Sequence, residues 1–246
     1  MGYKLKAGWV TDIGIIKPVN EDSCICKVID NSIHAGVFAV ADGVGGLPRG
    51  ELASAIAISN LNDWYRGALD KNYSAPMIVC DELSELFEKT NRQLMEIYHK
   101  EDICTATTLS AMLILKDTFI YSHIGDCRIY RIRNNVFRSE LERITSDQTA
   151  VVDKLVNGKP SKKVMLTDCL GFTDTCNNCC GSGLIKRNEI YLICSDGVYK
   201  TISDDVIRSI VRRYKNDMNK ICKELVKTAK TNRETDNISV IAVKII

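Results

Sequence analysis

GVFAVADGVGGLPRGELAS, Gly36 to Ser54, opens as an apolar run from Val37 to Ala41 that reads as a buried strand. The run stops at Asp42-Gly43, and three more glycines, Gly45, Gly46 and Gly50, precede a segment with helical spacing. A carboxylate at the end of a buried strand, followed by backbone that can approach a ligand closely, suits a metal ion or an anion. The plainer alternative is a strand-to-helix turn in which Asp42 only caps backbone groups, because Asp-Gly is a common turn pair. The rest of the chain decides between them.

Upstream, residues 7–12 (AGWVTD) read as a short edge strand, and Ser23 to Ile29 as a second strand turned by Asp30-Asn31. Downstream, Ala53, Ile56, Ala57, Leu61 and Trp64 repeat at helical spacing between Glu51 and Tyr65. A second, longer helix is expected from about Pro76 to His99, with Val79, Leu83, Leu86, Phe87, Leu94, Ile97 and Tyr98 on its apolar face. LSAMLIL, FIYSHI and CRIYRIR follow as strands, the last turned by Asn134-Asn135. Thr145 to Leu170 is more polar and reads as a surface excursion. IYLICSD is another buried strand, followed by helices over Asp204–Tyr214 and about Met218–Lys230 and a last strand, ISVIAVKI. Hairpins outnumber alternating strand-helix units. The expected class is therefore α+β, with packed antiparallel sheets and helical layers rather than a doubly wound parallel sheet.

With 246 residues the chain is long enough for one large core, and a single domain over 1–246 is expected, with a short flap-like excursion at about 147–166. The net charge of +2 gives no general reason to bind nucleic acid or a membrane surface, and a monomer is expected. No apolar run approaches a membrane span. The first residues lack the apolar core of a signal peptide, and Lys6 breaks the myristoylation pattern, so the expected location is the cytoplasm. Eleven cysteines is a high count for that compartment. Cys24, Cys26, Cys104 and Cys194 lie in apolar runs, where Cys acts as a small hydrophobe. Cys176 and Cys179 of CNNCC have C-x-x-C spacing, but no second pair lies nearby to complete a zinc site. With Cys180 they read as incidental thiols in a surface loop.

One regularity tips the reading of Asp42. Four apolar strands carry an aspartate at one end: Asp42 after GVFAVA, Asp126 after FIYSHIG, Asp196 after YLICS, and Asp236 before NISVIAV. Should those ends meet at one rim, they form an acidic pocket with Glu21 and Asp22. Clustered carboxylates repel one another unless a cation neutralises them. Oxygen-only ligands favour hard ions such as Mg²⁺ or Mn²⁺ over zinc. Two such ions about 4 Å apart can activate a water and clamp a phosphoryl oxygen.

These residues also carry a family resemblance. DIGIIKPVNED (Asp12–Asp22), ADGVGGLPRGELAS, ATT (Ala106–Thr108), GDCRIY (Gly125–Tyr130), TSDQ, LTDCLG (Leu166–Gly171), CSDG (Cys194–Gly197) and Asp236-Asn237 stand in one order along nearly the whole chain. The chain resembles the metal-dependent PP2C-type (PPM) serine/threonine protein phosphatases in their compact bacterial form. The resemblance implies a four-layer α-β-β-α sandwich with metals at one rim. It implies Mn²⁺ or Mg²⁺, two ions with a weaker third. Asp42 would bridge the two, Asp196 and Asp236 would complete the first, and Glu21 and the Gly43 carbonyl would serve the second, with Asp22 in the outer shell. Asp126 would join Asp196 at the third. A water or hydroxide between the ions would attack phosphoserine or phosphothreonine in protein substrates, those of a Ser/Thr kinase.

The departures from the family pattern are as specific as the matches. The phosphate-gripping arginine of the family is Lys17 here, which supplies charge without the bidentate fork. Val44 stands where eukaryotic members have a histidine, Gln148 replaces the histidine of T-x-D-H, and Asp168 sits where a basic residue is usual. His34, His99 and His123 match no catalytic motif position, and His123, inside an apolar strand, reads as a packed histidine. Two other functions stay open on sequence: a pseudophosphatase that binds phosphoproteins without turnover, and a hydrolase of a small phosphorylated metabolite.

Overall fold

The computed structural model describes residues 3–29, 35–68, 71, 73, 75–134, 139–156 and 159–246. The expected turn at Asp30-Asn31, Asn135 of the expected Asn-Asn turn, and His34 lie outside the described residues.

Two five-stranded antiparallel sheets form the centre. One is built from β1 (Leu5–Asp12), β12 (Ile238–Ile245), β11 (Ile190–Cys194), β6 (Arg128–Asn134) and β7 (Ser139–Arg143), in that order. The other runs β10 (Cys179–Leu184), β5 (Thr118–Ile124), β4 (Leu109–Leu115), β3 (Ala35–Asp42) and β2 (Asp22–Ile29). Alternation within the apolar strands sets the layers, because successive side chains point to opposite faces. Phe38, Val40, Met112, Ile114, Ile193, Ile241 and Val243 fill the space between the sheets. Val37, Ala39, Ala41, Ala111 and Leu113 turn the other way, against helices α1 (Gly50–Ala68) and α2 (Pro76–Glu101). On the far side Leu192, Val240 and Ala242 pack on α4 (Asp204–Arg213) and α5 (Met218–Thr231). Strands covered on both faces have no need of polar alternation, which is why they read as continuous apolar runs. The result is the α-β-β-α sandwich.

The helices follow their sequence signals. α1 buries Ala53, Ala57, Leu61 and Tyr65 at four-residue intervals. α2 starts with Pro76 in its first turn and ends on Asp102 in the left-handed region (φ 55°). Its buried face matches the expected one from Val79 to Leu94; Ile97 is half-buried and Tyr98, in the last turn, is 37% exposed. Asp217 caps α5 by accepting from the Lys220 amide at 3.0 Å.

Besides the edge strand β7, which the sequence reading did not expect, three features differ from it. The polar stretch after Thr145 forms a separate two-stranded hairpin, β8 (Thr149–Val156) with β9 (Lys159–Leu166). A short helix, α3 (Asp196–Tyr199), follows β11. The CNNCC segment is not simply a surface loop: Cys179 and Cys180 open the edge strand β10, and Cys176 and Cys180 pack against the core under α2. Cys179 alone of the three is exposed. Among the described residues no helix is long and apolar enough to cross a membrane.

Candidate metal centre

The site begins with the backbone of Asp42, where β3 ends. The Asp42 amide donates to Thr108 Oγ1 at 3.0 Å. The Asp42 carbonyl accepts from Thr107 Oγ1 at 3.0 Å and from the Thr108 amide at 2.9 Å. The two threonines of ATT thus fix the chain on which the Asp42 carboxylate stands. One residue later the Gly43 amide donates to the Glu21 carbonyl at 3.1 Å. A Cβ on Gly43 would lie 2.5 Å from the Gly50 carbonyl oxygen, so the turn closes only with glycine there.

Asn237 ties the N-terminal motif to the last strand. Its side-chain oxygen accepts from the Glu21 amide at 2.9 Å, and its Nδ2 donates to the carbonyls of Ile13 and Val19 at 2.9 and 3.1 Å. Gly14 (φ +83°) lets this loop lie on Asp236, whose carbonyl oxygen would sit 2.2 Å from a Cβ at that position. Asp22 lies opposite Asp42 in the β2–β3 register. Ser195 Oγ donates to Asp22 Oδ2 at 2.8 Å and accepts from the Ser239 amide at 2.9 Å. That pair joins the rims of the two sheets. Asp126 is held from behind: Tyr199 Oη donates to its carbonyl at 2.8 Å, and the Arg128 guanidinium lies 3.4 Å from the Tyr199 ring centroid. Arg128 in turn makes a two-pronged pair with Asp147, at 2.9 and 2.6 Å.

The aspartates of five separate strand ends therefore meet. Burial, and then Asp22, Asp196, Asp126 and Asp236 in turn, push the Asp42 carboxyl well above its ordinary range. Burial raises Asp22 to about 7 against the hydrogen bonds of Ser239 and Ser195, and raises Asp126 to about 6 with help from Asp196. Asp196 is raised by burial although Lys200 pulls it down. Asp236 is the exception. Burial pushes it up, but the Lys17 hydrogen bond and the Lys200 charge prevail and hold it below the usual carboxylate range. Lys17 Nζ lies 2.9 Å from Asp236 Oδ1 and 3.3 Å from Glu21 Oε2. Lys200 Nζ contacts Asp196 Oδ2 and lies 3.4 Å from Asp236 Oδ2.

The donor set fits a hard divalent cation in its chemistry. It is all oxygen, it carries excess negative charge, and two buried oxygens, Asp22 Oδ1 and Asp196 Oδ1, have no hydrogen-bond partner among the described residues. Among the described residues, however, no three Asp, Glu, His or Cys side chains are drawn together as a finished ligand set for one ion. Carboxylate oxygens of Glu21, Asp196 and Asp236 are turned to lysine ammonium groups.

Every site residue singled out from sequence lies at or beside this rim. Sequence reasoning missed Lys200, Ser195, Tyr199 and Glu234. The buried Glu234 accepts from the amides of Thr235 and Asp236 and so shapes the turn that carries Asp236. Its only signal was its place two residues before Asp236. Gln148 also gains a role: its Oε1 accepts from the Gly125 amide at 2.7 Å and its Nε2 donates to the Asn177 carbonyl at 2.8 Å. It thereby fixes the turn before Asp126. Asp168 is half-buried and accepts from Asn177 Nδ2 at 2.7 Å. His123 is packed, as expected, and His99 is exposed.

A family model for protein phosphatase 2C matches residues 17–157. The protein phosphatase PhpP of Streptococcus pneumoniae is 28% identical over 212 residues, 82% of each chain. The solved structure of the S. agalactiae serine/threonine phosphatase superposes with a TM-score of 0.82 at 24% identity, covering 98% of this chain and 99% of that one. The catalytic domain of the serine/threonine protein phosphatase PstP, solved in complex with 2 manganese ions, gives 0.78 at 22% identity, with 99% of both chains covered.

Proposed function

The chain belongs to the protein phosphatase 2C family, and on that premise we propose that it removes phosphate from phosphoserine and phosphothreonine in proteins by metal-dependent hydrolysis. The observation that carries this reading is the meeting of Asp22, Asp42, Asp126, Asp196 and Asp236 at one rim, with Lys17 beside them. Asp42, Asp196, Asp236, Glu21 and the Gly43 carbonyl would hold two ions, Asp22 would stand behind them, and Asp126 would join Asp196 at a third. Mn²⁺ and Mg²⁺ are the ions such donors favour. When bound, they supply Lewis acidity toward the phosphoryl oxygens and lower the pKa of water.

The chain's own residues hold and orient. Thr107 and Thr108 fix Asp42, and Asn237 fixes the loop that carries Lys17 and Glu21. Lys17 brings positive charge toward the phosphate as a compact ammonium, without the fork of an arginine. No imidazole among the described residues serves as the acid. Val44 takes that place, and both ring nitrogens of His123 are engaged with Ser110 and the Ser146 carbonyl. Water would then supply the proton for the departing Ser or Thr oxygen. The family's relatives are named as protein phosphatases, which favours this reading over a binding-only protein or a metabolite hydrolase. The substrates would be those of a Ser/Thr kinase, met by a monomer in the cytoplasm.

The test is a substrate panel with Mn²⁺, with and without EDTA. Chelator-sensitive release of phosphate from phosphothreonine and phosphoserine peptides, well above that from phosphorylated metabolites, is expected. Preference for a metabolite, or binding without turnover, would overturn the proposal.

A further inference from the structure

The two ammonium groups of the rim divide one carboxylate between them. Lys17 stands on Asp236 Oδ1 and Lys200 on Asp236 Oδ2. Each then reaches a second acid, Lys17 to Glu21 and Lys200 to Asp196. Lys17 belongs to the N-terminal motif. Lys200 belongs to none of the motifs that carry the family resemblance.

Its position follows from α3. Lys200 is four residues after Asp196, and its amide donates to the Asp196 carbonyl at 2.9 Å. One helical turn brings the two side chains to the same face. The Lys200 side chain is still 47% exposed, so its long apolar stem can carry the ammonium out to water without disturbing the core. Lys230, another lysine near the N-terminal motif, is committed to Asp12 at 2.9 and 3.1 Å; among the described residues the ion pair of Asp196 is with Lys200.

We infer that Lys200 is a tethered counter-cation: it holds Asp196 and Asp236 together and competes with divalent ions for their oxygens, so that loading the site requires Lys200 to swing out. This rests on the reading of Asp196 and Asp236 as metal ligands. Crowded carboxylates are costly without a cation, and an ammonium on a flexible stem offsets that cost. A site that must first expel its own cation shows an affinity reduced by the fraction of molecules in the open state. Lys200 therefore raises the metal concentration at which the centre fills.

The experiment uses the full chain stripped with chelator, as wild type, Lys200→Gln, which keeps much of the reach without the charge, and Lys200→Arg. Mn²⁺ binding is read by calorimetry and by the electron paramagnetic resonance of free Mn²⁺, and thermal unfolding is followed in EDTA. Lys200→Gln should unfold at a lower temperature in EDTA yet bind Mn²⁺ about two- to fivefold more tightly, the scale of a half-exposed ion pair. Lys200→Arg should follow wild type. A gain of affinity separates competition by the Lys200 charge from damage to the fold, which loosens a site rather than tightening it. Equal Mn²⁺ affinity in wild type and Lys200→Gln, or weaker binding by the variant, overturns the competition while leaving the metal centre standing. Failure of both proteins to bind Mn²⁺ overturns the metal reading itself, and the inference with it.

Discussion

The Asp42 backbone is held by Thr107 and Thr108 independently of its carboxylate. Asp42→Asn should therefore leave the chain in place and change only the donor. Its kcat with Mn²⁺ on a phosphothreonine peptide should fall by at least about 100-fold, because a ligand that acts on the transition state is lost. Asp126→Asn should lose much less, since that carboxylate lies outside the proposed pair of main ions. Equal activity in the two variants would contradict the assignment. Lys17 tests the other half of the site. Lys17→Ala removes a single charge-assisted contact and should raise KM about tenfold, with kcat falling less if the contact is the same in ground and transition states. Inhibition by free phosphate should weaken in parallel. Unchanged KM and unchanged phosphate inhibition would mean that Lys17 serves only Asp236 and Glu21.

At the scale of the element, β4 and β5 carry a buried polar pair. His123 Nε2 donates to the Ser146 carbonyl at 3.1 Å, and its Nδ1 lies 2.7 Å from Ser110 Oγ, which also lies 2.9 Å from the Cys127 carbonyl. Burial lowers its pKa to about 4 from an ordinary 6.5. The unfolded chain then binds more protons between those values, so stability from this group is complete above about pH 6.5 and is lost as pH falls toward 4. The loss should be on the order of 3 kcal/mol, read as the difference between wild type and His123→Gln in urea unfolding at pH 7 and pH 4.5. A pH-independent difference would place His123 outside this account. The elements legible in the sequence were those with a local cause. Apolar runs gave β3, β4, β11 and β12, helical spacing gave α1 and α2, and aspartates at strand ends marked the rim. β7 and β10 were not legible: SELER is mostly charged, and CCGSGL has two glycines and exposed side chains. Both are edge strands held only by pairing with β6 and β5, a long-range cause that a local pattern does not carry. Lys200 was missed for the same reason. Its contact with Asp196 is local, but the meaning of that contact depends on Asp236, 36 residues away.

For the whole molecule, the acidic rim couples folding, pH and metal. Asp22 and Asp126 titrate near 7 and 6, above the ordinary carboxylate value, and Asp42 and Asp196 are raised as well. The stability these four groups contribute is complete below about pH 4 and is lost as pH rises through their folded values. A divalent ion needs them deprotonated. The rise in Tm caused by Mn²⁺, measured against EDTA, should therefore grow from pH 5.5 to pH 7.5; a rise that shrinks over that range would contradict the electrostatics of the rim. The most direct test of the central claim is one titration: stripped protein, a phosphothreonine peptide, and phosphate release followed as Mn²⁺ is added. The account predicts no release above background before metal, saturable activation by Mn²⁺, full loss on adding EDTA, and no activation of Asp42→Asn at the same Mn²⁺ concentrations. Full turnover by the stripped wild type in chelator, or equal activation of Asp42→Asn, would contradict it.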